Sequence, residues 1–73
     1  MRFSKDVYAK VKFNTVPRGY ISAHLIGCSE DLYDELEPIF GHELAASASS
    51  WAELACIGEE YEHDEFIIEM VEV

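Results

Sequence analysis

The run Asp6-Val-Tyr-Ala-Lys-Val-Lys-Phe13 decides how this chain is read. Val7, Ala9, Val11 and Phe13 alternate with Tyr8, Lys10 and Lys12. A period of two with one apolar and one wet face predicts a strand half-buried in a sheet. Asn14 to Gly19 follows, with Pro17 fixing φ and Gly19 free to take positive φ, so a turn is predicted there. Residues 20–27 alternate again, Ile21, Ala23 and Leu25 against Tyr20, Ser22 and His24. Two such runs across a short Pro/Gly loop predict a β-hairpin.

At the far end, Phe66-Ile-Ile-Glu-Met-Val-Glu-Val73 is rich in β-branched residues and predicts the last strand. Phe66, Ile68 and Met70 fall on one face, and Ile67, Val71 and Val73 on the other. A strand apolar on both sides is covered twice or exposes a patch. One layer of helices covers one side only, so a homodimer through the outer face, near Ile67 and Val71, is expected. If the first strand is central, Lys10 and Lys12 would lie near Glu69 or Glu65 on that face.

Between the hairpin and the last strand the pattern turns helical. Ser29 is a suitable cap, and Glu30 and Asp31 suit the positive end of a helix dipole. Leu32 and Leu36 share one face, while Glu30, Asp34 and Glu37 share the opposite one. Pro38 predicts an end near Glu37, since proline removes a donor and clashes inside a helix. Residues 42–48 are ambiguous: alanine favours helix, and serine weakens it. Ser50-Trp-Ala-Glu53 has capping-box spacing and predicts a second helix. Its apolar face would be Trp51, Leu54, Ala55 and Gly58, with Gly58 as the stop. Glu59 to Glu65 is expected as a wet connection.

The expected fold is α+β in the order β-β-α-α-β. It is a small single-layer sheet, antiparallel or mixed, with two short helices packed on one face. The expected core is Val7, Val11, Phe13, Ile21, Leu25, Leu32, Leu36, Trp51, Leu54, Phe66 and Ile68. The whole chain of 73 residues makes one small acidic domain. With 49% hydrophobic and 27% charged residues, it has the composition of a folded rather than a disordered chain.

Charge is the strongest functional signal. The net charge is −10, yet all five basic residues, Arg2, Lys5, Lys10, Lys12 and Arg18, lie in the first eighteen positions. With Asp6 that segment carries +4, and residues 19–73 carry −14 with no Lys or Arg. So acidic a chain is disfavoured for direct contact with nucleic acid or anionic membrane. No apolar run reaches the roughly 18 residues of a membrane span, and Met-Arg-Phe-Ser-Lys-Asp lacks the apolar stretch of an export signal. A cytoplasmic protein is expected.

No catalytic, metal or cofactor motif is legible. Cys28 and Cys56 have no CxxC context and are expected as reduced thiols, Cys56 as a small buried hydrophobe on the helix of Trp51. Ser22 and His24 share a strand face without the third group or oxyanion hole a hydrolase needs. His42 and His63 are isolated, and the acids around His63 lack the spacing and glycine of a calcium loop.

Two acidic groups are candidates for a partner surface. Glu30, Asp34 and Glu37 form a row along one helix face, broadened by Asp31 and Glu35, with Tyr33 at the apolar border as an interface anchor. Glu59, Glu60, Glu62, Asp64 and Glu65 form a second group around Tyr61. A carboxylate row cannot copy the phosphate lattice of DNA in detail, but it can occupy a basic groove built for phosphates.

Small size, strong acidity and an α+β build resemble in type the small inhibitors of phages and mobile elements, the anti-restriction and anti-CRISPR proteins. The resemblance implies a non-enzymatic module that blocks the basic, nucleic-acid-binding surface of a protein by charge mimicry. The alternative is an accessory or self-associating module whose acidity serves solubility; a small enzyme of unrecognised type stands third.

Overall fold

The computed structural model describes residues 1–13 and 24–73. The predicted turn at 14–19, and with it Ile21 and Ser22, lies outside the described residues.

Strand β1 (Val7–Phe13) is central, flanked by β2 (His24–Ile26) and β4 (Phe66–Glu72), with β3 (Glu60–Glu62) on the far edge. All three pairings are antiparallel, in the order β2-β1-β4-β3. Two helices, α1 (Ser29–Phe40) and α2 (His42–Leu54), complete an α+β fold. β4 alternates buried and half-buried residues along its length, so one sheet face is covered and the other is open.

The covered face carries Ala9 and Val11 of β1 and Phe66, Ile68 and Met70 of β4, all essentially inaccessible. Register places Ala9 opposite Met70, Val11 opposite Ile68 and Phe13 opposite Phe66. Leu32 and Leu36 of α1 close over them. Phe66 is the hub of the aromatic end of the core. Phe40 lies 5.0 Å from it, stacked His63 4.9 Å, stacked Tyr61 6.1 Å and edge-on Phe13 6.5 Å between centroids.

Six local expectations are corrected. In β2, Ile26 is buried and Leu25 is 52% exposed, because Ile26 pairs with Ala9 on the covered face while Leu25 sits opposite Lys10 on the open one. α1 does not end near Glu37 but runs through Pro38 to Phe40. Pro38 is exposed, so the N–H it withholds from the Asp34 carbonyl is lost where water can replace it. The Gly41 N–H caps the end by donating to the Glu37 carbonyl at 2.9 Å.

The second helix starts at His42, not Ser50, and absorbs the ambiguous stretch. Its buried face is Ala45, Ala48, Ser49 and Ala52; Trp51 is half-buried and Leu54 is 87% exposed. The expected wet connection contains β3, in which Tyr61 points inward against Trp51 at 5.4 Å. Cys56 lies beyond the end of α2 and is exposed, not buried.

Gly41 joins the two helices alone, at φ 95° and ψ 171°. That conformation belongs almost only to glycine, and it lets α2 begin one residue after α1 ends. The segment before β1 is tied to the β2–α1 connection and to α1 by hydrogen bonds from Phe3 N–H to the Gly27 carbonyl and from Ser29 N–H to the Met1 carbonyl.

Candidate functional site

The acids of α1 separate by what they touch. Leu32, Leu36 and Ser29 are buried, which turns Glu30, Asp31, Asp34 and Glu37 out to solvent on the opposite side of the helix. A rise of about 1.5 Å per residue spreads Glu30, Asp34 and Glu37 over roughly 10 Å. Neither helix has a basic residue in its last turn.

Two of the carboxylates have partners. Glu30 accepts from the Met1 amine, which holds its carboxyl below the usual range and raises the amine in return. Glu35, on the flank of α1, lies 2.8 Å from His24 Nδ1 on β2. An open cleft between β2 and α1 is lined by His24, Leu25, Asp31, Asp34 and Glu35. Asp34 and Glu37 stand free of such contacts among the described residues.

Tyr33 occupies the other flank of α1, half-buried, with its hydroxyl 2.6 Å from His42 Nδ1 on α2. Its ring edge meets the imidazole at 5.8 Å between centroids. The interhelical groove beside it is lined by Ser29, Glu30, Asp34, Ser49 and Glu53. At its floor the buried Ser29 hydroxyl donates to Glu53 Oε2 at 2.6 Å, tying the start of α1 to the end of α2.

The second acidic group is divided by the pleat of β3. Glu60 and Glu62 are exposed on the open face, opposite Glu69 and Ile67. Tyr61 faces inward. Glu59 accepts from the Cys56 N–H at 2.7 Å and thereby closes the loop after α2. Asp64 and Glu65 form the tip of the β3–β4 turn, where the Glu65 N–H donates to His63 Nδ1 at 3.1 Å. Phe40 stands 5.9 Å from the His63 ring, so the C-terminal end of α1 and this acidic tip lie side by side.

Sequence reasoning missed two contributors. In the sequence His24 stands out only beside Ser22, whereas its contact with Glu35 joins residues eleven apart on different elements. His42 is isolated in the sequence, and the tight α1–α2 turn brings it to Tyr33. Neither contact has a local sequence signal.

Among the described residues no helix is long and apolar enough to cross a membrane, and no group of His, Cys, Asp or Glu is placed to hold a metal ion. No protein-family model, curated protein or solved structure matches this chain.

Proposed function

We propose that this chain is a non-enzymatic, cytoplasmic binding module whose α1 surface occupies a basic, nucleic-acid-handling face of another protein. The observation that supports this most directly is the solvent face of α1. Glu30, Asp31, Asp34 and Glu37 project from a rigid helix in a sequence with no Lys or Arg after residue 18. A helix seated on two buried leucines presents its charges pre-organised, so little ordering cost falls on binding. The Asp64–Glu65 tip extends the negative surface beyond the C-terminal end of the helix. Tyr33, half-buried and held by His42, supplies a rigid aromatic anchor at the border.

Charge of this kind acts mainly on encounter. Complementary fields raise association rates and impose steep salt dependence, while packed anchors set dissociation. The basic partner is read by field and shape; no reaction is required of either protein.

The test is capture from a host lysate on the immobilised protein at low and at physiological salt, repeated with a Glu30→Lys, Asp34→Lys, Glu37→Lys bait. A partner retained at low salt, lost from the reversed bait and displaced by added duplex DNA is the expected result. A partner held equally by both baits, or indifferent to DNA, would refute a blocked nucleic-acid groove.

A further inference from the structure

The open sheet face divides by charge. On its β2–β1 side are Lys10 and Lys12, and the Arg2 guanidinium lies against Gly27 beside the Tyr8 ring. On its β4–β3 side are Glu69, Glu60 and Glu62. Apolar surface runs between them: Tyr8 stands opposite Val71, and Ile67 opposite Lys12, all but Lys12 half-buried. Leu25 adds an exposed side chain on the basic side. One half of the face is positive, the other negative, and the boundary falls between β1 and β4.

We propose that this face binds a second copy of the chain, sheet against sheet, about a two-fold axis parallel to the strands and lying between β1 and β4. A closed dimer uses the same patch on both subunits, so that residue i meets j and j meets i. Rotation about an axis along the strands carries the positive half of one copy over the negative half of the other. Rotation about an axis across the strands would set positive on positive. Charge therefore selects the first arrangement, which is also the aligned packing that twisted sheets favour.

The register then fixes the contacts. Lys10 and Glu69 stand opposite each other within one sheet, at equal heights on either side of the boundary. In the dimer each Lys10 faces the partner's Glu69. Tyr8 and Val71 are likewise paired within the sheet, so Tyr8 packs on the partner's Val71. Ile67 meets the aliphatic stem of the partner's Lys12.

The rest of the molecule favours this occupant. Seven acids sit on the two helices, Glu30, Asp31, Asp34, Glu35, Glu37, Glu43 and Glu53, on the far side of the sheet. Layers stack about 10 Å apart, so the helix layers of two copies would lie roughly 30 Å from each other. That is beyond the screening length of about 8 Å at physiological salt. Among the described residues, a basic protein would find three carboxylates here offset by three cations, and nucleic acid would meet the carboxylates directly. Four strands about 4.8 Å apart make a small face, below the roughly 800 Å² per partner of a standard interface. The dimer is therefore proposed as a weak, transient one.

This inference stands on the sheet face and is independent of the α1 surface. Sedimentation equilibrium from about 10 µM to 1 mM tests it on the intact chain, with circular dichroism to confirm folding. The parent should pass from monomer to dimer. Lys10→Glu and Glu69→Lys each place like charges opposite one another, so each alone should associate at least tenfold more weakly. Mixed in equal amounts, the two variants restore both opposite-charge contacts and should form a heterodimer at least as readily as the parent dimerises. A parent monomeric throughout would overturn the proposal. So would two variants that self-associate as the parent does, or a mixture no better than either variant alone.

Discussion

Gly41 and Glu30 show how single residues set the molecule's shape and charge. Gly41 adopts φ 95° and ψ 171°, and a Cβ there would meet nothing within 4 Å. The cost of Gly41→Ala is thus one of backbone strain alone, about 1–3 kcal/mol for a residue held in this region. In a domain of this size each kcal/mol lowers Tm by about 4–8 °C, which thermal melting would read. An unchanged Tm would mean that the helices are not joined through this conformation. At Glu30, contact with the Met1 amine lowers the carboxyl pKa and raises that of the amine. The carboxylate's contribution is present above its unfolded pKa and lost as pH falls through the folded one. That of the amine is present below its unfolded pKa and lost as pH rises through the folded one. The contact therefore operates between the acid and the alkaline transitions. NMR titration should place the Glu30 midpoint below that of an ordinary glutamate, and acetylating the amine should move it back up. A midpoint indifferent to acetylation would remove the contact.

At the scale of elements, the legibility of each segment followed from how much side-chain contrast it carries. β1 was readable because its open face holds two lysines between apolar residues. β2 carries Leu25 and Ile26 side by side, so its phase is undetermined locally; a slip of one residue exchanges the faces, and pairing with Ala9 decides it. β3 is three residues long with charge on both sides of Tyr61, and short charged edges of this kind resist further pairing. In α2 the bulky Trp51 and Leu54 dominate the apolar pattern, yet the buried face is set by Ala45, Ala48 and Ala52. Those alanines are buried because Leu32, Leu36 and the phenylalanines already fill the core, and only small side chains fit beneath. Leu54→Ser should therefore change stability by no more than about 0.5 kcal/mol, as exposed positions do. Ala48→Leu should cost about 1–3 kcal/mol by overpacking. Urea unfolding of the two variants checks this, and a reversed ranking would show that α2 is rotated.

Over the whole molecule, the division of charge along the sequence becomes a division between layers. The acidic candidates of α1 were legible because helical periodicity set Leu32 and Leu36 against Glu30, Asp34 and Glu37, and the fold preserves that opposition. The Glu59–Glu65 group reads as one cluster in sequence, but the pleat sends Glu60 and Glu62 to the sheet face and leaves Asp64 and Glu65 at a turn beside Phe40. Lys10 and Lys12 fall on the sheet face, away from the α1 acids, so among the described residues the helix layer keeps a net negative charge, with Glu30 held by the Met1 amine and Asp34 and Glu37 free. The proposed role rests on that layer, and its kinetics with a captured basic partner test it most directly. Association and dissociation rates would be measured for the parent, for the Glu30→Lys, Asp34→Lys, Glu37→Lys triple variant and for Tyr33→Ala, at low and physiological salt. Charge reversal should slow association strongly with little change in dissociation, the parent's association should fall steeply with salt, and Tyr33→Ala should mainly speed dissociation. A triple variant that associates as fast as the parent at low salt would contradict an α1 surface that binds by charge.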